Sequence, residues 1–270
     1  MASLTGLHGD PENGRFEFEA TPELCVPGMF VFGGVTSAAV IEAIEATTGQ
    51  PLAWVTTQFQ GRIEPSATVH LDVSKDVERR RLVQCRVEAS VDGETVVRAL
   101  GACAERAPDP LVWGEPMPVV PPPLECRPLV FREGWQEAGF PSRFEWRLAS
   151  GRLFADQEPG PNEDGRASVW VRWPGHELGD ASSQAYFSDL GMATADSATD
   201  GSGRGGVSLD NTLRVVSTEP TEWMLLDCAI RAHTGLAHVE IGVWAESGAL
   251  LGLHTTTALH GHGSRGPVGT

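Results

Sequence analysis

The chain has 270 residues, of which 41% are hydrophobic and 21% are charged, and its formal net charge is −16. This composition supports a sizeable folded core and argues against a disordered chain. The strong negative charge offers no electrostatic footprint for nucleic acid, and no apolar run approaches the roughly 20 residues of a membrane span. The opening letters MASLTGLHGDPENG lack the basic and apolar regions of a secretory signal, so we expect a cytoplasmic protein without a membrane partner.

The cysteines give no sign of a metal site. All five stand singly, without the spacing of a zinc ligand set or of a disulfide framework. Cys85, Cys103 and Cys228 lie in apolar, strand-like runs, where a thiol usually behaves as a small hydrophobe. We therefore expect reduced cysteines in the core and no bound metal.

A proline-rich segment divides the chain. Residues 107–128 hold eight of the nineteen prolines, and proline fixes φ and removes a backbone donor. The segment is therefore predicted to be an extended connector. It separates a first domain, residues 1–106, from a second domain, residues 129–262, which is followed by a tail, residues 263–270.

The first half has the pattern of a helix followed by four strands. An alanine-rich stretch, VTSAAVIEAIEATTGQ, carries apolar residues at helical spacing, and Gly49 is typical of a helix C-terminus. Gly33 and Gly34 precede this stretch. The strand candidates are AWVTTQFQG, TVHLDVSK, RLVQCRVEASV and TVVRALGACAE. Asp92-Gly93 lies between the last two and predicts a hairpin turn.

The second half repeats this order. FEWRLASG and ASVWVRWPG precede a helix candidate, ASSQAYFSDLGMATADS. Four strand candidates follow: VSLDNTLRVV, EWMLLDCAIRA, LAHVEIGVWAE and LLGLHTTTALHG. The layout therefore indicates a duplicated α+β unit. The sequence DGSGRGG at 200–206 contains G-x-G-x-x-G, but a strand rather than a helix follows it, so a dinucleotide-binding loop is not predicted.

In order and spacing, several of these segments resemble the acyl-CoA thioesterase II family and its thioesterase-like relatives. The resemblance covers most of residues 16–260 and rests on FGG, VTTQFQGRIEP, VDGETVVRA, FSDLGMA, SLDNTLRV, TEWMLLD and ESGALLG. It implies a double hotdog, with two antiparallel sheets that each wrap around a central helix. It also implies hydrolysis of an acyl-CoA thioester without a metal or redox cofactor, coenzyme A being part of the substrate. Hotdog sheets commonly pair, so a homodimer is compatible with it.

The resemblance implies a water molecule activated by an aspartate. Asp189 in FSDLG matches the family's catalytic aspartate, and Ser208 in SLDN matches its hydroxyl residue, usually a threonine. Thr256 in HTTTAL stands where the family has a glutamine, and Asn211 stands where it has a histidine. Threonine offers no amide, so the alternative is a non-catalytic protein that binds an acyl thioester or another apolar ligand.

The two glycines before the first helix have two interpretations. Gly33 and Gly34 let a ligand approach the backbone closely, and free N–H groups at a helix start attract an oxyanion. The alternative is that they only permit tight packing of the helix on its sheet. On the second-half strand, simple alternation predicts a single polar face. That face would carry Ser208, Asp210, Thr212 and Arg214.

Two further residues, Glu42 and His254, are weaker candidates. Glu42 lies on the first helix near the repeat position of Asp189, but Glu45 follows three residues later, so a shared solvated face is predicted. His254 lies on the same strand face as Thr256, where a histidine is more often a surface residue or one with its hydrogen bonds satisfied. A hydratase on the same fold would need an acidic residue paired with a histidine, and the sequence indicates no such pair.

Overall fold

The computed structural model describes residues 3–106, 114–131, 138–153, 164–190 and 206–260. The predictions for the glycine-rich letters at 201–205, for residues 107–113 of the connector and for the tail after residue 260 lie outside these ranges. The helices and strands of the described residues are, in chain order, β1 (His8–Asp10), β2 (Arg15–Glu19), α1 (Gly33–Thr48), β3 (Leu52–Phe59), β4 (Thr68–Arg79), β5 (Leu82–Val91), β6 (Glu94–Ala104), β7 (Arg127–Pro128), β8 (Glu145–Ser150), β9 (Arg166–Arg172), α2 (Ala181–Ser188), β10 (Gly206–Val215), β11 (Met224–His233), β12 (Leu236–Ala245) and β13 (Leu250–His260).

The strands form one continuous antiparallel sheet. Its order is β1-β2-β4-β5-β6-β3-β10-β13-β12-β11-β9-β8-β7, so the two halves of the chain meet where β3 pairs with β10. The prediction of two antiparallel sheets, one in each half, did not include this pairing, which joins them into one sheet. Unpaired strand edges expose backbone donors and acceptors, and the β3–β10 pairing satisfies the edge of each half.

Helix α1 packs against β3, β4, β5 and β6 of its own half. Its residues are buried nearly all round, with valine, isoleucine and alanine side chains that fill the space above the sheet. The helix ends at Gly49, as predicted, whose φ of 64° is the left-handed conformation that glycine adopts without strain. Gly33 and Gly34 form its first two residues instead of a preceding loop.

Helix α2 is short and entirely buried, although half of its side chains are polar. Those polar residues are Ser182, Ser183, Gln184 and Ser188. Local hydrogen bonds make this burial tolerable: Asp180 caps the helix by accepting from the Ser183 N–H at 2.8 Å, and Ser188 Oγ donates to the Gln184 carbonyl at 2.7 Å. The helix ends at Ser188, with Asp189 as its C-terminal cap, whereas the sequence predicted a longer helix.

The start of α1 lies directly against the end of α2. A Cβ atom added at Gly34 would lie 2.0 Å from the carbonyl oxygen of Tyr186, so only glycine allows this approach. Gly34 therefore permits close packing of one helix on the other, whereas the alternative predicted from the sequence was packing of the helix on its sheet.

The proline-rich connector covers part of the sheet surface that faces away from the helices. Trp170, Trp223, Leu225 and Trp244 form an apolar cluster on that side, and Met117 and Val120 pack against it. Trp170 Nε1 donates to the Pro121 carbonyl at 3.0 Å. The connector thus shields tryptophan side chains, in addition to linking the halves. Its last two residues form β7 against β8, and the domain boundaries stay a prediction.

Gly34→Ala is expected to destabilise the chain by roughly 1–3 kcal/mol, because the new methyl group would push α1 and α2 apart. Helix propensity alone predicts that the alanine variant is more stable than the wild type. Ala46→Gly, at an exposed position of the same helix, is the control and should cost about 1 kcal/mol through propensity. Urea denaturation measures both; a Gly34→Ala variant as stable as the wild type would contradict the close packing.

Candidate active site

Asp189 lies at the point where the two halves meet. Only 5% of the residue is exposed to solvent. Its Oδ1 accepts hydrogen bonds from Asn211 Nδ2 at 2.9 Å and from Ser208 Oγ at 3.2 Å, and the carboxyl group is also hydrogen-bonded by the backbone of Gly34. Three donors from two different halves therefore hold one buried carboxyl group.

The glycine at the start of α1 makes room for this carboxyl group. A Cβ atom added at Gly33 would lie 2.6 Å from Asp189 Oδ2. The first amides of a helix carry partial positive charge and have no partner within the helix, so they favour a nearby anion. Because Gly33 and Gly34 have no side chains, the Asp189 carboxylate can lie directly at the start of α1.

The protonation of Asp189 is set by two opposing effects. Burial disfavours the charged form and is the larger effect, whereas hydrogen bonds from Asn211, Ser208 and Gly34 favour it. The net result raises the pKa of Asp189 from 3.8 to about 6. The group is therefore mostly an anion at neutral pH and is ready to take up a proton.

A β-bulge in β10 turns Ser208 towards Asp189. Ser208 pairs with Ala258 of β13, but the next pair joins Asp210 to Thr257, so Leu209 is an extra residue in the strand. This shift brings Ser208 to the same side as Asn211. Simple alternation is therefore the wrong description of this strand, and the predicted single polar face is wrong for its first member. That prediction grouped Ser208 with Asp210, Thr212 and Arg214.

Three buried polar residues form a row across the junction. Asn211 of β10 pairs with Thr57 of β3 on one side and with Thr256 of β13 on the other. Asn211 Nδ2 lies 3.4 Å from Ser37 Oγ on α1, in addition to its bond to the carboxyl group. Thr256 Oγ1 donates to the Asp210 carbonyl at 2.7 Å, so its proton is used by the backbone beside the bulge.

Within the described residues, no group of three or more His, Cys, Asp or Glu side chains is arranged to hold a metal ion. None of the helices in these ranges has both the length and the apolar character needed to cross a bilayer. Cys85, Cys103 and Cys228 are buried in the main core, as predicted.

Two family models match the chain in sequence order. The model of the acyl-CoA thioesterase N-terminal domain matches residues 21–104, and the model of the acyl-CoA thioesterase C-terminal domain matches residues 123–259, about half of the chain. The chain belongs to the acyl-CoA thioesterase family. No curated protein sequence matches it.

Solved structures with the same fold align with nearly the whole chain. A candidate thioesterase from Novosphingobium aromaticivorans is 27% identical, with a TM-score of 0.79 and coverage of 95% of this chain and 99% of its own. A hot dog fold protein of unknown function from Alicyclobacillus acidocaldarius is 18% identical, with a TM-score of 0.81 and coverages of 95% and 96%. An acyl-CoA thioesterase II from Mycobacterium marinum is 18% identical, with a TM-score of 0.73 and the same coverages. The last two show the fold alone.

The structure brings together some of the residues predicted for this acyl-CoA thioesterase. Asp189, Ser208 and Gly34 are in direct contact, and Gly33 lies against the carboxyl group. Thr256 lies in the neighbouring strand, but its hydroxyl group bonds to backbone instead of to Asp189. The amide that was a candidate oxyanion donor at Gly34 is occupied by the carboxyl group.

The sequence pattern missed the roles of Asn211, Ser37 and Thr57 at this junction. The sequence marks Asn211 only as a replacement for histidine, yet its Nδ2 donates to Asp189 Oδ1 at 2.9 Å, a shorter bond than the 3.2 Å bond from Ser208. Thr57 follows Val55 by two positions and so lies on the buried side of β3. A polar residue in the buried phase of an apolar strand was the available signal, but it does not reveal which strand lies alongside.

Glu42 and His254, the weaker candidates, lie in surroundings that differ from the predicted ones. Glu42 accepts from Thr5 Oγ1 at 2.7 Å, and Glu45 accepts from the Leu52 N–H at 2.8 Å. Both residues are only partly exposed, so the predicted solvated face is wrong, and burial raises the pKa of both carboxyl groups. His254 is 1% exposed, and neither ring nitrogen has a partner among the described residues. Burial lowers its pKa to about 3, so it is neutral near pH 7 and not a surface residue.

The raised pKa of Asp189 predicts a pH-dependent loss of stability. Between about pH 4 and pH 6 the folded chain holds a proton that the unfolded chain has released, so stability falls as pH rises through this window. Asp189→Asn removes this ionisation. We subtract the free energy of unfolding of the wild type from that of the variant at each pH. This difference is expected to increase by on the order of 3 kcal/mol between pH 4 and pH 7, and then to level off. Urea denaturation across this range measures it; a constant difference would show that Asp189 ionises normally.

Proposed function

We propose that the chain hydrolyses an acyl-CoA thioester, with Asp189 as the general base that activates water. The observation that carries this proposal is the buried carboxyl group of Asp189, held at the start of α1 by donors from both halves, with its pKa raised to about 6. A base with a pKa near the working pH is effective in proton transfer. Membership of the acyl-CoA thioesterase family supports the substrate class.

The proposed reaction needs only water, thioester and carboxylate. A water molecule attacks the thioester carbonyl carbon while Asp189 takes its proton. The tetrahedral intermediate then expels the thiolate of coenzyme A, and the proton passes from Asp189 to the departing sulfur. The products are a free acid and a thiol, and the carboxylate is restored.

The residues around Asp189 act through position. Ser208 and Asn211 fix the orientation of the carboxylate by hydrogen bonds to Oδ1. Thr256 holds β13 to the backbone beside the bulge, and its lone pairs can still accept a hydrogen bond from a bound molecule. With the Gly34 amide bonded to the carboxyl group, the proposed oxyanion role falls to the N–H of Gly33.

We also propose that the two halves form a double hotdog. In a double hotdog each half would wrap its strands around one helix, and contacts of α1 with β3–β6 and of α2 with β10, β12 and β13 support this arrangement. We also expect a cytoplasmic protein, because its cysteines are buried as thiols instead of bridged.

The second candidate is a protein that binds an acyl thioester without cleaving it. Thr256 supports this candidate, since it replaces the family's glutamine and its hydroxyl proton is already used by the backbone. Binding without turnover would raise the melting temperature in the presence of an acyl-CoA that remains intact.

Asp189→Asn is expected to lower kcat for acyl-CoA hydrolysis by about 10²- to 10⁴-fold, because the amide cannot take a proton from water. Asp210→Asn is the matched control: its side chain bonds to the Thr257 N–H on the other face of the strand, and an amide oxygen can accept the same bond. Release of free thiol from acyl-CoAs of several chain lengths measures both.

The pH dependence provides an independent check. Since only the ionised carboxylate accepts a proton, kcat of the wild type should rise with pH through a midpoint of about 6. Equal turnover by wild type and Asp189→Asn would exclude Asp189 as the base. Absence of turnover in the wild type, together with ligand-induced stabilisation, would favour the binding protein.

A further inference from the structure

Two buried polar atoms at the β3–β10 junction, in the residue pair that includes the Asp189 donor Asn211, have no hydrogen-bond partner among the described residues. They are Thr57 Oγ1 on β3 and Asn211 Oδ1 on β10. Thr57 is 0% exposed and Asn211 is 3% exposed, so bulk water does not satisfy either group. Burying a polar atom without a partner is costly, so such an atom in a native protein requires an explanation, of which a bound water molecule or a catalytic role is one.

The two atoms belong to neighbouring residues. Thr57 and Asn211 are directly paired across the β3–β10 junction. Side chains paired in this way have Cβ atoms roughly 4.5–5.5 Å apart, close enough for one small polar molecule to contact both. One residue comes from each half of the chain, so the position between them exists only where the halves join.

The chemistry of the two atoms restricts what can lie between them. The amide nitrogen of Asn211 faces the Asp189 carboxyl group and Ser37, so its Oδ1 is the free end and can only accept. The Thr57 hydroxyl can donate or accept. A thioester carbonyl only accepts and would leave Asn211 Oδ1 unsatisfied. A water molecule can donate to Asn211 and bond to Thr57 at the same time.

We propose that Thr57 and the side-chain carbonyl of Asn211 hold the water molecule that attacks the thioester. This inference rests on the proposed function and adds a positioning residue from the N-terminal half. Asn211 then contacts both the base and the water: its Nδ2 fixes the base, and its Oδ1 fixes the water that the base deprotonates. The water oxygen bonds to the carbonyl carbon, its proton moves to Asp189, the C–S bond breaks, and the sulfur receives the proton.

Replacing Thr57 separates this role from a structural one, because the two roles predict the same effect on the melting temperature and different effects on kcat. Valine has nearly the shape of threonine and lacks the hydroxyl group. If the hydroxyl group served only packing, Thr57→Val would remove an unsatisfied polar atom, keep or raise the melting temperature, and leave kcat unchanged. If Thr57 positions water, the variant also keeps or raises the melting temperature, but its kcat falls.

The experiment compares Thr57→Val and Thr57→Ala with Thr57→Ser in acyl-CoA hydrolysis, alongside melting temperatures. We expect kcat to fall on the order of 10- to 100-fold in both variants without a hydroxyl group, with KM within about twofold of the wild type, and to recover largely in Thr57→Ser. The midpoint of the pH–rate profile should stay at about 6, because Asp189 is intact. Thr56→Val is the control: its hydroxyl bonds to Thr212 Oγ1 at 3.0 Å on the opposite face, and kcat should not change.

The outcomes distinguish this inference from the proposed function. Full kcat in Thr57→Val or Thr57→Ala, with activity lost in Asp189→Asn, would overturn the role of Thr57 and leave Asp189 as the base. A loss that Thr57→Ser does not recover would also overturn it, since only the hydroxyl group is proposed to act. A wild type that hydrolyses no thioester would overturn both.

Discussion

The burial of one carboxyl group at the junction of the two halves constrains the structure around it. Removing the Asp189 carboxylate from water is costly, and the cost is offset only if hydrogen-bond donors are already in place. Those donors are supplied by Gly34 on α1 and by Ser208 and Asn211 on β10, so α1, α2 and β10 must keep a fixed arrangement. The β3–β10 pairing and the close contact at Gly34 hold the two halves in this arrangement, and each half supplies at least one of the donors.

Local sequence patterns were sufficient to predict most strands and the presence of both helices, although α2 ends earlier than predicted. Alternation over 82–91, helical spacing after Gly34 and the turn at Asp92-Gly93 each depend on neighbouring residues, and the structure confirms them. The joining of the sheets through β3 and β10 was not predicted. It links segments about 150 residues apart, and nothing in the pattern of either strand specifies its partner.

The site was predictable to a similar degree. The resemblance placed Asp189 and Ser208, and the structure shows them in contact. The alternation rule failed at Leu209, because a bulge adds one residue without changing the hydrophobic pattern that predicts the strand. Thr57 could not be recognised for a related reason: a threonine in a strand is unremarkable until the pairing register places it beside Asn211.

The two departures from the family pattern have consistent physical consequences at this site. A protonated histidine in place of Asn211 would stabilise the carboxylate and hold the pKa of Asp189 low. The neutral amide gives a hydrogen bond without a charge, so burial prevails and the pKa stays near 6. Thr256 lacks an amide, but its bond to the Asp210 carbonyl fixes β13 beside the bulge that turns Ser208 towards Asp189. Asn211 therefore affects the strength of the base, and Thr256 affects the placement of a residue that holds it.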